Sequence, residues 1–316
     1  MALFLTRRLS LMALTLIGVS MVVFAVVNIV PGDPIAGLLG PRATDEERAE
    51  FRHQYGFDRP LPEQYVKWLG NFLQGDMGIS VGKRQPAADL LVPALKNTLI
   101  LASAAFAFSI AVGFTTGLVA GLNRGRLLDK LCSMFAIAFM SLPPYWVGLM
   151  LIIVFAVQLP WFPTSGMENA RDPGGIVDVF RHLVLPTIAA SLASIGIIAR
   201  IVRSSVIDIA EQDFVMSLRA KGLGGGRMLL HIVRNAAPPL LTVAGLQVGY
   251  LVGGSVLVET IFAWPGVGKL VFEAIGQRDL VMIQGGVLLV SVVFVLMNLL
   301  VDLVAPLVDP RMKHAT

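Results

Sequence analysis

Hydrophobic residues fall into six long runs that are separated by more polar segments. A helix needs about 20 apolar residues to cross roughly 30 Å of hydrocarbon, and each run comes close to that length. None alternates with the period of two that a barrel strand shows, so helices must satisfy the backbone hydrogen bonds in lipid. We predict an all-α polytopic membrane protein with six transmembrane helices, which cover residues 9–30, 98–122, 131–157, 183–199, 238–258 and 281–301.

The first run has one alternative interpretation, a cleaved signal peptide preceded by Arg7 and Arg8. The apolar core of a signal peptide has about 7–15 residues and is followed by a small-residue cleavage site. The run here is longer, and segment 28–34 reads Asn-Ile-Val-Pro-Gly-Asp-Pro, which is not such a site. We therefore expect the run to be retained as the first transmembrane helix.

Composition also indicates a membrane protein. Of 316 residues, 55% are hydrophobic and 15% are charged, whereas soluble domains carry about 25% charged residues. This balance excludes a disordered or nucleic-acid-binding protein and argues against an ordinary soluble enzyme. With the long segment 31–96 set aside, Lys and Arg are roughly three times as numerous on the side that holds both termini. That asymmetry predicts cytoplasmic termini, and the net charge of +4 reflects loop orientation.

The predicted helices and their orientation divide the chain into segments. Residues 1–30 form an N-terminal transmembrane helix, and residues 31–96 form a small extracytoplasmic insertion after it. Residues 97–306 form a five-helix core with a cytoplasmic loop at 200–237, and residues 307–316 form a cytoplasmic tail.

The external segment is too long for a simple connector and should have structure of its own. Thr44 and Glu47 have the spacing of a capping box, which predicts a helix through about Tyr55. A second, amphipathic helix should begin near Pro60 and end at Gly75. Its apolar face packs on the bundle, contacts a partner or lies at the membrane interface. That face comprises Tyr65, Val66, Trp68, Leu69, Phe72 and Leu73.

Small residues and prolines mark features within the membrane helices. Glycines that recur every four residues make a flat face where another helix can approach closely, and Pro143 with Pro144 should kink the third span. The sequence leaves open whether the approaching helix belongs to this chain or to another. The two glycine series are Gly113, Gly117 and Gly121, and Gly245, Gly249 and Gly253.

The cores of the six spans contain no Asp, Glu, Lys, Arg or His. Ionisable residues in membrane spans commonly serve as coupling sites, so their absence argues against a carrier with its own proton or cation site. The remaining polar side chains either line a transport pathway or form hydrogen bonds between helices. The candidates for lining the pathway are Ser141, Tyr145, Gln247 and Tyr250.

The sequence also lacks the common catalytic motifs. It has no phosphate-binding Gly-x-x-x-x-Gly-Lys-Ser/Thr loop, no His-Glu-x-x-His and no Gly-x-Ser-x-Gly. The lone Cys132 and the scattered histidines do not have metal-ligand spacing. We expect a non-catalytic chain that binds no metal or cofactor, so energy for active transport would come from another chain.

The loop at 200–237 should contain a short capped helix. We expect Asp213 to be its N-cap and Gly222 to end it. Arg219 and Lys221 lie near its C-terminus, where cations suit the helix dipole. The helix either transmits a rigid-body push to the membrane helices or belongs to a basic loop resting on anionic lipid headgroups. Its apolar face comprises Phe214, Val215 and Leu218.

This loop carries a family resemblance. Asp213-Phe-Val-x-x-x-Arg-Ala-Lys-Gly-Leu223, followed by Ala237-Pro238, resembles the "EAA" coupling loop of ABC importer permeases. The chain more narrowly resembles the first-subunit type of the dipeptide/oligopeptide/nickel permease family. It departs from the pattern at Leu218, where the family has a small residue, and in lacking the letters EAA. Further matches in family order are PGDP at 31–34, GDMGIS at 75–80, NTL at 97–99, SLPP at 141–144, VETIF at 258–262, PGVG at 265–268 and DP at 309–310.

The resemblance implies the type I ABC importer permease fold and a multi-pass protein of the bacterial cytoplasmic (inner) membrane. Its expected partners are a second homologous permease subunit, two ATPase subunits that bind ATP and magnesium, an extracytoplasmic solute-binding protein and membrane lipid. The favoured substrates are small peptides. Nickel complexes or another small solute remain the alternative within the family, and a stand-alone channel or carrier, or a membrane scaffold, remain alternatives outside it.

The resemblance also assigns a site. The helix near 213–222 would dock on an ATPase, with Phe214 and Leu218 as apolar anchors and Gly222 allowing the sharp turn. The external segment would contact the binding protein or shape the outer mouth. The ATPase-coupling residues implied are Asp213, Phe214, Leu218, Arg219, Ala220, Lys221 and Gly222.

Overall fold

The computed structural model describes residues 2–29, 58–169 and 174–308, with positions 44, 46, 47, 50 and 53 between the first two ranges. The described part is helical, apart from turns and an isolated antiparallel bridge between Ile79 and Pro86. In chain order the helices are α1 (Ala2–Ile29), α2 (Leu61–Leu73), α3 (Ala87–Leu122), α4 (Leu127–Ser141), α5 (Pro144–Leu151), α6 (Gly175–Ala210), α7 (Asp213–Ala220), α8 (Gly225–Gly254), α9 (Val256–Ile261), α10 (Val267–Gln277) and α11 (Leu280–Val308).

The all-α membrane class is confirmed. Among the described residues, α1, α3, α6 and α11 are each long and apolar enough to cross a membrane. Helices α4 and α5 supply one further span if the bent pair is counted together. Helix α8 lies where the fifth span was predicted, but its apolar stretch Val243–Gly254 is shorter than a span. The count of six therefore stays a prediction.

The third predicted span is broken rather than gently kinked. Helix α4 ends at Ser141, and α5 begins at Pro144 and continues as a π-helical segment, Ile152–Gln158. The two halves meet at an angle of 101°. Leu142 and Pro143 adopt extended conformations with ψ of 127° and 126°, because a residue that precedes proline is driven out of the helical region. The proline pair thus makes a sharp corner in the span.

The helices pack as two compact units. The first comprises Met1–Thr98 and Pro265–Val295, and the second comprises Leu99–Trp264 and Leu296–Thr316. These units cut across the predicted 97–306 core, and the division into four segments stays a prediction. Within the first unit, α3, α10 and α11 share a core in which Leu91 and Val267 are fully buried.

The amphipathic helix α2 packs on α1 through aromatic side chains. The rings of Tyr65 and Trp68 lie 5.5 and 5.7 Å from that of Phe24, and Tyr65 Oη is 2.8 Å from Ser20 Oγ. This part of the apolar face of α2 therefore packs on the membrane helix α1. Val66 and Leu73 were assigned to the same face but point away from the contact, since they are 68% and 77% exposed.

The capping box at Thr44 and the glycine turn after α2 both form as the sequence predicts. Thr44 N donates to Glu47 Oε2 at 2.8 Å and Glu47 N donates to Thr44 Oγ1 at 3.2 Å, so the predicted capping box is confirmed. The extent of its helix toward Tyr55 lies outside the described residues. Gly75 adopts a φ of 89° just after α2, as expected of a glycine that ends a helix.

A buried carboxylate fixes the loop that follows α2. Asp279, at the start of α11, accepts hydrogen bonds from Ser80 Oγ at 2.5 Å and from Gly82 N at 3.1 Å. Its other oxygen accepts from Met282 N at 3.2 Å, which caps the helix. These neutral donors satisfy a side chain that is only 1% exposed, and one of them is Ser80, the last residue of the GDMGIS segment.

Candidate coupling site and transport pathway

Helix α7 begins at Asp213, one residue earlier than the sequence predicts. Gln212 is the N-cap, with extended φ and ψ of −73° and 147°, and no side chain caps the helix. Asp213 is wrong as the N-cap because it already occupies the first helical position. Its carboxylate still lies in the first turn, where negative charge favours the helix dipole.

The C-terminus of α7 forms a Schellman turn. Leu223 N donates to Leu218 O at 3.1 Å and Gly222 N donates to Arg219 O at 2.9 Å. Gly222 adopts a φ of 75°, a left-handed conformation that residues with a Cβ rarely adopt. The glycine therefore ends α7 and lets the chain turn into α8 within a few residues.

The inward face of α7 is fastened to the bundle. Val215 is fully buried, and Phe214 and Leu218 are half-buried against the same apolar cluster. That cluster joins α7 to the end of α6, to the beginning of α8 and to the C-terminal part of α3. Its members outside α7 include Val202, Val206, Ile209, Met228, Ile232, Phe114 and Leu118.

The outward face of α7 differs from the one expected. Phe214 and Leu218 were expected to anchor a partner, but both contribute to the protein's own core. The exposed apolar side chain is Met216, which is 59% exposed. It points about 100° away from Val215 around the helix axis, because an α-helix has about 3.6 residues per turn. The other exposed residues from 213 to 222 are Asp213, Ser217, Arg219, Ala220, Lys221 and Gly222.

Short connections tie α7 to the long helices on either side. Only Glu211 and Gln212 separate it from α6, and Glu211 N donates to Ile207 O while Val215 N donates to Gln212 O. Residues 221–224 separate it from α8. Helix α7 is therefore held to α6 and α8 by short links as well as by its buried inner face.

The two glycine series have different surroundings. A Cβ on Gly113 would lie 2.9 Å from Ile198 Cβ, and one on Gly121 would lie 2.7 Å from Val206 Cγ1. At Gly117 it would overlap the carbonyl oxygen of Ala199. The structure therefore places the first series in close contact with α6 of the same chain.

The second series meets less of its own chain. A Cβ on Gly245 would overlap the side chain of Val301 in α11, whereas one on Gly253 would meet no atom within 4 Å. Gly249 is buried. The glycine face of α8 is thus occupied near Gly245 and open at Gly253.

The four candidates for lining the transport pathway differ in how exposed they are. Gln247 is buried, and its Oε1 accepts a hydrogen bond from Ser194 Oγ at 2.8 Å. This hydrogen bond joins α8 to α6, and the pathway role of Gln247 stays a prediction. Ser141 donates to Ile137 O within its own helix. Tyr145 and Tyr250 are 46% and 48% exposed, so their pathway role stays a prediction.

An ion pair that the sequence did not predict lies at the end of α6 that precedes α7. Asp129 accepts hydrogen bonds from Arg203 Nε at 2.6 Å and Arg203 Nη2 at 2.9 Å. The carboxylate lies in the first turn of α4 and the guanidinium in the last third of α6. The only sequence signal was an acidic residue after a Gly125 turn. A partner 74 residues away gives no local pattern.

Among the described residues, no group of three or more His, Cys, Asp or Glu could hold a metal ion. Glu259, one residue beyond the predicted fifth span, is fully buried and accepts a hydrogen bond from Ser255 Oγ at 3.0 Å. The expectation that the chain binds no cofactor stays a prediction.

Comparison with known proteins identifies the class. Residues 113–314 match the family model described as "Binding-protein-dependent transport system inner membrane component", and residues 1–97 match the one described as "Binding-prot-dependent transport system membrane comp, N-term". The chain belongs to this family and is a multi-pass inner membrane protein, a permease subunit of an ABC importer.

Full-length relatives narrow the class. The chain is 38% identical to the "Di/tripeptide transport system permease protein DppB" of Pseudomonas aeruginosa, over 98% of each chain. It is 36% identical to the "Dipeptide transport system permease protein DppB" of Escherichia coli, again over 98% of each. It is 34% identical to the "Oligopeptide transport system permease protein AppB" of Bacillus subtilis, over 99% of this chain and 100% of the relative. The resemblance to dipeptide and oligopeptide permeases is thereby confirmed.

Solved structures agree on the fold. A chain of the MetNI methionine ABC transporter, in inward-facing conformations, aligns with a TM-score of 0.57 and 20% identity. The alignment covers 70% of this chain and 96% of that one. It supports the importer permease fold predicted from the sequence.

Proposed function

We propose that this chain forms one half of the translocation pathway of an ATP-driven importer for small peptides, and that α7 receives the force. The observation that carries the proposal is that α7 is buried on one side only. Val215 is fully buried, while Met216 beside it is 59% exposed. A helix fixed on one side and bare on the other suits transmission of force from a docked partner.

The partner of α7 is an ATPase subunit. Apolar groups at the centre of an interface tend to dominate its energy, so Met216 is the anchor, and Arg219 and Lys221 add polar contacts around it. The complete transporter contains a second permease subunit, two ATPases that hold ATP and magnesium, and an extracytoplasmic binding protein. Both termini and α7 lie on the cytoplasmic side, and α2 lies outside, where it contacts the binding protein or shapes the outer mouth.

Nucleotide binding draws the ATPases together and displaces α7. Because α7 shares one apolar cluster with α3, α6 and α8, its displacement carries these helices as a group. The bundle then alternates between inward and outward access. The chain itself performs no chemistry in this cycle.

Substitution of the anchor tests docking. Met216→Ala should lower ATP-driven peptide uptake by about tenfold, because truncation of a central apolar contact weakens an interface by more than 1.4 kcal/mol. The control is Leu230→Ala, since Leu230 is 49% exposed but lies on α8 rather than α7. Uptake is measured in proteoliposomes that contain the whole complex. Equal uptake by both variants, with both chains present in the membrane, would contradict docking through Met216.

The substrate is tested separately. The printed names of the relatives support peptides, while nickel complexes or another small solute remain the alternative. Uptake of a labelled dipeptide should be reduced by unlabelled di- and tripeptides and unaffected by nickel chelates or sugars. Competition by a nickel chelate alone would favour the alternative.

A further inference from the structure

The ion pair between Asp129 and Arg203 joins α4 to the end of α6 that precedes α7. The Asp129 side chain is 6% exposed and the Arg203 side chain is 35% exposed. Both carboxylate oxygens face the guanidinium, at 2.6 and 2.9 Å. Asp129 Oδ2 also accepts from Gly125 N at 2.9 Å, and Ser133 Oγ donates to Oδ1 at 3.3 Å. The carboxylate therefore holds the turn before α4, the first turn of α4 and α6 together.

Arg203 lies on the part of α6 that bears directly on α7. Val202 and Val206 on either side of it belong to the apolar cluster that buries Val215. A Cβ on Gly121 of α3 would lie 3.1 Å from the carbonyl oxygen of Arg203. This segment of α6 thus has α3 and α7 against it, and the ion pair adds α4.

Helix α4 is the first half of the broken span. It ends at Ser141, where the chain bends by 101° into α5. Closer to that bend it also packs tightly on α6, because a Cβ on Gly196 would overlap Ala136 and Met140. Helix α4 is consequently held to α6 near both of its ends.

We propose that Asp129 and Arg203 are positioning residues for energy coupling. They make α4 move together with α6 and α7, so that displacement of α7 reaches the Pro143–Pro144 corner. This inference rests on the proposed function, because it needs α7 to be driven by an ATPase.

The Asp129–Arg203 ion pair is better suited to fixing the angle between α4 and α6 than to adding stability to their contact. A bidentate Arg–carboxylate contact fixes the angle between two groups as well as their distance. A buried ion pair adds little net stability compared with apolar packing, yet loss of one partner leaves an uncompensated charge. An apolar contact between α4 and α6 at this depth would hold the helices without fixing the angle between them.

The chain provides a control in a second, exposed ion pair close to α7 in sequence. Arg124 in the α3–α4 turn pairs with Glu211, the residue that follows α6, and both side chains are more than half exposed. Exposed ion pairs contribute about 0–1 kcal/mol and are screened by salt. Glu211→Gln therefore removes a charge contact near α7 without disturbing a buried one.

The test compares Asp129→Asn, Arg203→Lys and Glu211→Gln in the complete transporter reconstituted with its binding protein. Asp129→Asn removes the charge, and Arg203→Lys keeps the charge but loses the bidentate geometry. Peptide transported per ATP hydrolysed should fall by at least about tenfold in the first two variants. ATP hydrolysis should continue, and Glu211→Gln should keep the wild-type ratio. The thermal midpoint of each complex is recorded alongside.

A distance measurement reports the motion itself. With Cys132 replaced by serine, spin labels at Lys130 of α4 and Ser217 of α7 occupy two exposed positions. Their separation should be the same with and without bound nucleotide in the wild type, and should change on nucleotide binding in the Asp129→Asn complex.

Two results would overturn the inference. One is a transport-to-ATP ratio for Arg203→Lys equal to that of Glu211→Gln, even with a lowered thermal midpoint, because the pair would then only stabilise the fold. The other is a wild-type Lys130–Ser217 distance that changes on nucleotide binding. Failure of the proposed function is a different result, in which the wild-type complex shows no ATP-dependent uptake.

Discussion

Two short amphipathic helices, α2 and α7, are attached to the protein in different ways. Helix α2 has no buried residue and contacts α1 through aromatic rings and a Tyr65–Ser20 hydrogen bond. Helix α7 is shorter but buries Val215 completely, and it packs on a cluster drawn from three long helices. Both were candidate partner surfaces on amphipathicity alone.

The different attachments of α2 and α7 determine how far a force on each helix can be transmitted. A force applied to α7 acts on a buried cluster and on the ion pair near it, and close-packed interiors transmit strain. A force applied to α2 acts on a few ring contacts with α1. We therefore assign energy coupling to α7 and only local adjustment to α2.

Val215→Asp should have the largest effect, since it places a carboxylate in the apolar cluster beneath α7. Burial of an unpaired charge costs several kcal/mol, and we expect a loss of about 4 kcal/mol or local detachment of α7. The thermal midpoint of the purified chain in detergent reports this. Ser217→Asp is the control, because it adds the same charge at an exposed position of the same helix. Similar behaviour of the two variants would contradict a fastened α7.

Gly117→Ala should be next, with a loss of about 2–3 kcal/mol, because overpacking forces neighbouring backbone to move. The new Cβ would lie 2.7 Å from Val202 Cβ and would overlap Ala199 O, and this contact holds α3 against the cluster under α7. Gly253→Ala is the matched control. It meets nothing within 4 Å and should gain up to about 1 kcal/mol from helix propensity. Thermal unfolding in detergent measures both, and equal midpoints would remove the distinction between the two glycine series.

Trp68→Ala tests the weaker attachment of α2. It removes ring contacts with Phe24 at 5.7 Å and with Phe72 at 6.3 Å, for a local loss of about 2 kcal/mol. Amide exchange over 61–73 should become faster while the ratio of transport to ATP hydrolysis stays the same. Leu73→Ala, at a position 77% exposed, should change neither. A lowered ratio for Trp68→Ala would show that α2 takes part in coupling.

Tyr65→Phe should have the smallest effect, about 1 kcal/mol, because it removes one hydrogen bond and keeps the ring. Ser20→Ala removes the same bond from the other side. Amide exchange of α2 should respond similarly in both single variants, and the double variant should add little to either. Additive effects would mean that the 2.8 Å contact is not shared.

The local features of this fold could be predicted from the sequence. The Pro143–Pro144 break, the Thr44–Glu47 capping box and the turn at Gly222 each depend on residues within a few positions, and the structure contains all three. Apolar runs likewise predicted the helices, because burial in lipid is a property of the segment itself.

The orientation of α7 could not be predicted in the same way. Its apolar residues include both Phe214 and Met216, and only the long helices around it decide which of them is covered. The Asp129–Arg203 pair could not be predicted either, because its members are 74 residues apart and only the packing of the helices brings them together. Glycine periodicity indicated close helix packing but did not identify the partner, which is α6 for the first series.

Photo-crosslinking from position 216 tests the central claim most directly. A photoreactive residue replaces Met216 in the complete transporter, and a second sample carries it instead of Val66 of α2, which is 68% exposed. The account predicts that position 216 crosslinks to a nucleotide-hydrolysing subunit and that position 66 does not. Crosslinks from position 216 to lipid alone, in a complex that imports peptide with ATP, would contradict it.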